Sequence, residues 1–377
     1  METVARLIAL VAGIVIVILT VWSVFTSLVL PRATSSRMAR ALARILGGSA
    51  RRDRLLSFVG PGAVVAVFGI WLCLILLGFS LIVWWDTGVN FLEALGIAGS
   101  SVTTLGIAAS GGAGARTLEI LAAGMGLGVV ALEIAYLPAL YSAFATRETE
   151  VTLLSARAGT PAWGPEILGR HFWLQIMDEL PPLYADWERW ASAVSESHAN
   201  YPGLIWFRSP ESSRSWLVGL VAMMDSAALY HAVSPQLTPR QARLCLSMGI
   251  RCLRSMAGAL HIPYDPDPLP TTGIRLTRQE FESGFRRLEE VHFPLERDLE
   301  ESWRHFQGWR VNYEPIVDAL TRLIAPPPAP WFVAQPDIGA TQWPLILNRT
   351  PDEPQGAQTF GSSKTFKTPS ARESKSS

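Results

Sequence analysis

Three apolar stretches constrain this chain more than anything else in it. Leu7–Leu30 has no charge over 24 residues, Ala63–Trp85 has none, and Leu118–Phe144 carries only Glu119 near its start and Glu133 within it. About 20 residues at about 1.5 Å per residue cross the hydrocarbon of a bilayer. Backbone in lipid must satisfy its own hydrogen bonds, so each is expected to be a transmembrane helix. Trp84 and Trp85 stand where interfacial anchors belong. A cleaved signal has a shorter apolar region and a small-residue cleavage site, whereas Pro31-Arg32 follows the first stretch here. The first helix is therefore expected to be retained.

Arginine sets the expected orientation. Arg32, Arg37, Arg40, Arg44, Arg51, Arg52 and Arg54 fill the loop between the first two spans, and positive loops stay in the cytoplasm. The N-terminus then lies outside and the C-terminal half is cytoplasmic, in a multi-pass protein of the plasma (inner) membrane. The same arginines also suit a lipid-binding patch. The resulting division is an N-terminal transmembrane helix (1–31), a basic loop (32–60), a membrane module (61–146, with spans at 62–85 and 117–145 around a segment at 90–109), a cytoplasmic α-helical domain (147–325), and a Pro-rich linker and tail (326–377).

The segment between spans two and three, Asn90–Ala108 (NFLEALGIAGSSVTTLGIA), is too short to cross and return as two full helices and too apolar for an ordinary outer loop. Non-helical backbone at membrane depth must be buried in protein or line a wet cavity. Phe91–Val102 can form three turns of helix, after which Thr103–Ala108 needs backbone whose carbonyls meet something polar. A re-entrant hairpin that conducts nothing answers the same pattern.

The run Thr103-Thr104-Leu105-Gly106-Ile107-Ala108 resembles the TTVGYG filter of potassium channels, and the order helix, threonines, glycine loop, helix extends that resemblance over residues 55–146. The C-terminal end of the third span, with Tyr141 and Phe144 before Arg147-Glu148, is similar to the inner-helix exit of bacterial members of that family. The resemblance implies a homotetramer, one pore loop per subunit, in which rings of carbonyl oxygens replace the hydration shell of a permeant cation such as potassium. It implies that the Thr104 hydroxyl adds an inner ring, and that Leu105 and Ile107 pack behind the filter. Ala108 falls on the family's last glycine, where left-handed backbone would cost a non-glycine residue roughly 1–2 kcal/mol. Ala109 stands where the family often has Asp, and Arg116 where a basic residue often precedes the inner helix.

In the third span Gly124, Gly126 and Gly128 are candidates for a hinge or for close helix packing, Gly124 and Gly128 forming a GxxxG. Glu133 is the candidate pore- or cavity-facing acid, since an ionisable group within a span needs a cavity or a partner. Pro138 is expected to kink the helix.

Beyond the spans the pattern is helical. Expected helices are Leu180–Ala199, Ser212–Val233, Pro239–His261, Arg278–Val291 and Leu295–Ile324, with Trp187, Trp190, Trp216, Trp303 and Trp309 on buried faces. Ser215–Val233 is nearly apolar enough for a fourth span, but Asp225 and His231 interrupt it and a buried core helix is the expectation. The glycine fingerprint of a Rossmann nucleotide domain is missing, as are zinc-ligand spacing, a nucleophile elbow and a kinase motif set. Glu289 and His292 give half of a di-iron motif and read as a solvated face. A formal net charge of zero gives no field for nucleic acid. Cys73, Cys245 and Cys252 read as reduced thiols, and residues 349–377 as a disordered tail.

The sequence thus predicts an all-α membrane protein: a cation channel, neither enzyme nor cofactor carrier, whose partners are its own copies and membrane lipid. The alternatives are a weakly selective cation channel and a non-conducting, membrane-anchored sensor or scaffold. Nothing in the sequence names the ligand of the cytoplasmic domain.

Overall fold

The computed structural model describes residues 2–28, 51–109, 112–211, 213–332, 345–346 and 357–358. Helix α1 (Glu2–Leu28) is followed by α2 (Arg51–Thr87), the short α3 (Phe91–Val102) and α4 (Ala113–Ala158). Then come α5 (Gly164–Trp173), α6 (Leu180–Asn200), α7 (Trp216–Val233), α8 (Arg240–Leu260), α9 (Arg278–Glu290), α10 (Leu299–Arg310) and α11 (Glu314–Ile324), with short 3-10 turns at Met177–Glu179 and Pro202–Trp206. These belong to a unit spanning Met1–Phe332. In the separate unit Val333–Ser377, Leu345–Ile346 and Ala357–Gln358 pair as a two-residue antiparallel ladder. The basic loop as far as Ala50 lies outside the described residues, as does all of the expected disordered tail except Ala357–Gln358.

Among the described residues four helices are long and apolar enough to cross a membrane: Thr3–Thr26, Val64–Thr87, Gly114–Ala158 and Trp216–Val233. The first three share one apolar core with α3, built from Val17 and Val24 of α1, Phe68, Trp71, Ile75, Phe79 and Ile82 of α2, Ala98 and Val102 of α3, and Ala122 and Val129 of α4. Apolar helices gain little from one another in lipid unless their backbones come close. Here glycine provides that approach: a Cβ on Gly13 would lie 2.7 Å from the Gly78 carbonyl oxygen, and one on Gly78 would lie 2.6 Å from a Val17 methyl. Arg6 donates to the Gly88 carbonyl at 3.2 Å, tying the start of α1 to the end of α2.

Trp216–Val233 differs in its surroundings. It is 94% buried, against 28%, 39% and 17% for the other three. Helices α4, α5, α6, α8 and α10 enclose it, and its acid Asp225 accepts from Arg310 Nη1 at 2.7 Å and from the Tyr313 hydroxyl at 2.6 Å. It is the core helix of the C-terminal half.

The remaining helices follow local signals. Thr277 caps α9 in a reciprocal capping box with Glu280, and the Asp298 carboxylate accepts the Glu301 amide to start α10. The expected single helix Leu295–Ile324 is two helices, α10 and α11. Pro315 has no amide hydrogen to return to the Val311 carbonyl, so the chain turns through Val311–Tyr313 and restarts. α5 was not among the expected helices. Trp187, Trp190 and Trp216 are buried, but Trp303 and Trp309 are only half-buried. α4 continues through Pro138 as a 46-residue helix. Cys73, Cys245 and Cys252 are free thiols.

Candidate ion-conduction site and its link to the helical domain

The site begins with α3. The Asn90 side chain accepts the Glu93 amide at 2.9 Å and starts the helix. Its twelve residues carry Ala94, Ile97, Ala98, Ser100 and Val102 on the buried side. The helix ends at Thr103, whose amide and hydroxyl both return to the Gly99 carbonyl, at 3.0 and 2.6 Å. Its carbonyl end carries partial negative charge.

The six residues that follow turn on Ser100, which the sequence reading passed over. The Ser100 carbonyl accepts the amides of Leu105 at 2.9 Å and Gly106 at 3.3 Å, and its hydroxyl accepts the Ala108 amide at 3.0 Å. Thr104 and Gly106 stand in the left-handed region, at φ 58° and 66°. Among the described residues no donor meets the carbonyls of Thr104, Leu105, Gly106 or Ile107. A serine one turn from the end of an apolar helix was the available signal, since a buried hydroxyl needs a partner.

One expectation is corrected. The left-handed non-glycine residue of the loop is Thr104, not Ala108; Ala108 is half-buried and packs against Val83, Ala94 and Ile97, so its methyl fills space that a glycine would leave open. Leu105 and Ile107, expected to pack behind the filter of a tetramer, are 65% and 81% exposed in the single chain. The Thr104 hydroxyl donates to the Thr103 carbonyl at 2.7 Å.

The three glycines of α4 separate. A Cβ on Gly126 would lie 2.1 Å from the Val102 carbonyl oxygen, so Gly126 is where α4 receives the end of α3. Gly124 and Gly128 meet nothing within 4 Å and lie on an exposed face. The close approach inside one chain is thus made by Gly126 and not by the GxxxG pair. Glu133 is half-buried, on the side of α4 that also carries Val129 and Tyr136, which pack with Phe68 of α2. Its Oε1 is enclosed and has no hydrogen-bond partner among the described residues.

Where α4 enters the helical half, Arg147 is buried to 1% exposure. Its guanidinium donates to Glu148 Oε1 at 2.8 and 3.0 Å, to the Leu204 carbonyl at 2.9 Å and to the Phe207 carbonyl at 2.6 Å, and it lies over the rings of Phe144 and Trp216. Its own carbonyl accepts the Trp190 indole N–H at 3.0 Å. Nη1 also faces His198 Nε2 at 3.3 Å. Guanidinium only donates, so Nε2 must accept and the His198 proton sits on Nδ1, directed at the Val194 carbonyl at 2.9 Å. Burial, and then the Arg147 charge, hold the His198 imidazole well below its ordinary pKa. The Arg147-Glu148 pair, which the sequence offered only as a resemblance, is the buried joint between α4, α6 and the Pro202–Trp206 turn.

No three His, Cys, Asp or Glu side chains among the described residues are grouped to hold a metal. No family model matches this chain, and no curated protein or solved structure matches it.

Proposed function

We propose that this protein is a homotetrameric cation channel of the potassium-channel-like class, with Thr103–Ala108 of four chains forming the conducting filter. The observation that carries this reading is the loop held by Ser100: the amides of Thr104, Leu105, Gly106 and Ala108 are occupied, while four consecutive carbonyls are left without a donor among the described residues. Buried or membrane-depth carbonyls need a partner, and a ring of them around an axis is a seat for a dehydrated cation. The α3 carbonyl end adds negative potential at the same place. Assembly also gives a role to the exposed Leu105 and Ile107, as contacts with the neighbouring subunit.

In this reading α1, α2 and α4 cross the plasma membrane, α3 is the pore helix, and α4 is the inner helix that carries the gate. The helical half lies in the cytoplasm and biases the gate through the Arg147 joint. Potassium is the favoured permeant ion.

The test is flux from liposomes under opposing potassium and sodium gradients, with Gly106→Pro as the comparison. Potassium-selective flux that Gly106→Pro abolishes supports the reading. Flux of both ions assigns a weakly selective cation pore. Tetramers that pass neither ion, with the gate mechanically or chemically opened, overturn conduction and leave a membrane-anchored sensor.

A further inference from the structure

Many arginines of the helical half are paired with acids; Arg157, Arg304 and Arg322 stand singly without an ion pair among the described residues, and one helix face gathers four such arginines. Arg275, Arg278, Arg286, Arg297 and Arg310 each meet a carboxylate. Helix α8, Arg240–Leu260, holds four arginines and no acid. Among the described residues none of Arg240, Arg243, Arg251 and Arg254 forms an ion pair. At 3.6 residues per turn these four positions fall within a sector of about 80°. The opposite side of the helix is buried through Ala242, Cys245, Leu246, Gly249 and Cys252.

Like charges spaced three or four apart on a helix destabilise it, and here no carboxylate on the helix offsets Arg240 with Arg243 or Arg251 with Arg254. The same region collects exposed apolar side chains: Leu237 just before α8, Leu244 between the arginines, and Tyr264 just after it. Arg254 lies over the Tyr264 ring at 5.6 Å and Arg243 over Trp309 at 5.7 Å. Cationic heads set among leucine and tyrosine match a phospholipid leaflet, whose phosphates meet guanidinium and whose headgroup boundary takes small apolar groups. A purely acidic protein surface would give Leu237 and Leu244 nothing to enter.

We propose that the exposed face of α8 docks the helical domain onto anionic phospholipid headgroups. The proposal rests on the reading that α1, α2 and α4 cross a membrane, which keeps this domain close to a leaflet, and not on conduction.

The test uses the full chain with Cys73→Ser and Ser247→Cys, labelled at residue 247 with an environment-sensitive fluorophore and placed in nanodiscs. Ser247 is exposed in the middle of the arginine face. Emission is expected to shift to the blue in discs containing phosphatidylglycerol and not in pure phosphatidylcholine. The shift should disappear in the triple variant Arg240→Gln, Arg243→Gln, Arg251→Gln, and at high salt, while the matching lysine variant keeps it. These side chains are exposed, so the glutamine variant is expected to retain its helical circular dichroism. Equal emission in both lipids overturns the proposal. A blue shift already present in detergent without lipid also overturns it, and assigns the face to contact between copies. Failure of the chain to enter discs at all is a separate result, and removes the membrane reading beneath it.

Discussion

Helix α7 and helices α1, α2 and α4 are all apolar enough to cross a membrane, yet they solve opposite problems. α7 is 94% buried and enclosed by five other helices, and its acid is met by Arg310 and Tyr313. α1, α2 and α4 keep most of their apolar surface outside the fold, and their contacts depend on glycine at Gly13, Gly78 and Gly126. Apolarity therefore marks what a helix can be surrounded by, and not what surrounds it. The distinguishing mark is the polar interruption: Asp225 has a complete set of partners, as a buried charge in a protein core must have, whereas Glu133 keeps an enclosed oxygen without one.

The sharpest way to break this contrast is at Asp225. Asp225→Ala leaves Arg310, at 1% exposure, with Glu314 as its remaining carboxylate but removes the acceptor from its Nη1 and from the buried Tyr313 hydroxyl; at about 1–3 kcal/mol for each buried donor left unmet, a loss of about 2–6 kcal/mol is expected in chemical denaturation of the purified chain. A loss under about 1 kcal/mol would mean that α7 is not the core helix described here.

Among the apolar spans the largest effect is expected at Gly126. The Cβ of Gly126→Ala meets a backbone oxygen, which cannot rotate away, and overpacking of this kind costs about 1–3 kcal/mol. Flux should fall with it. Gly124→Ala meets open space and gains helix propensity, so flux and melting temperature should stay within error of the parent. Equal damage from both would place the critical packing at the interface between copies.

Smaller effects separate the loop from the joint. Ser100→Ala removes the hydroxyl that accepts the Ala108 amide while keeping the carbonyl that accepts Leu105 and Gly106. About 1 kcal/mol of stability and a change in ion preference are expected, with Ser100→Thr restoring both. At the joint, His198 has its folded pKa held below its unfolded value of about 6.5. The unfolded chain then binds more protons, so stability rises with pH through this window and declines as pH falls below about 6.5. Melting temperature against pH should show that decline, and His198→Gln, which can still accept from Arg147, should flatten it.

Much of this architecture was legible in the chain. The bounds of α3, Phe91–Val102, follow from apolar spacing ended by two threonines, and α9 from the Thr277 capping signal. Local chemistry decides such features. The restart at Glu314 was also written locally, in Pro315, but the strong helical pattern on both sides concealed it. The role of Ser100 was not legible, because it depends on backbone folding back over a distance of eight residues. Nor was the division of labour among Gly124, Gly126 and Gly128: periodicity places two on one face, but only the neighbour across the gap identifies which one is crowded. The resemblance assigned to Ala108 the left-handed backbone that stands at Thr104.

The length of α4 has a mechanical consequence. At about 1.5 Å per residue, 46 residues make a rod of roughly 69 Å, more than twice the hydrocarbon thickness of a bilayer. It receives the C-terminal end of α3 at Gly126, and 21 residues further on, roughly 32 Å, it is clamped at Arg147 by two carbonyls and a carboxylate. A rod held at both points has little slack. In the proposed channel a twist of the helical domain about this axis would reach the loop as torque, and a small tilt there would become a larger displacement further along, as in any lever.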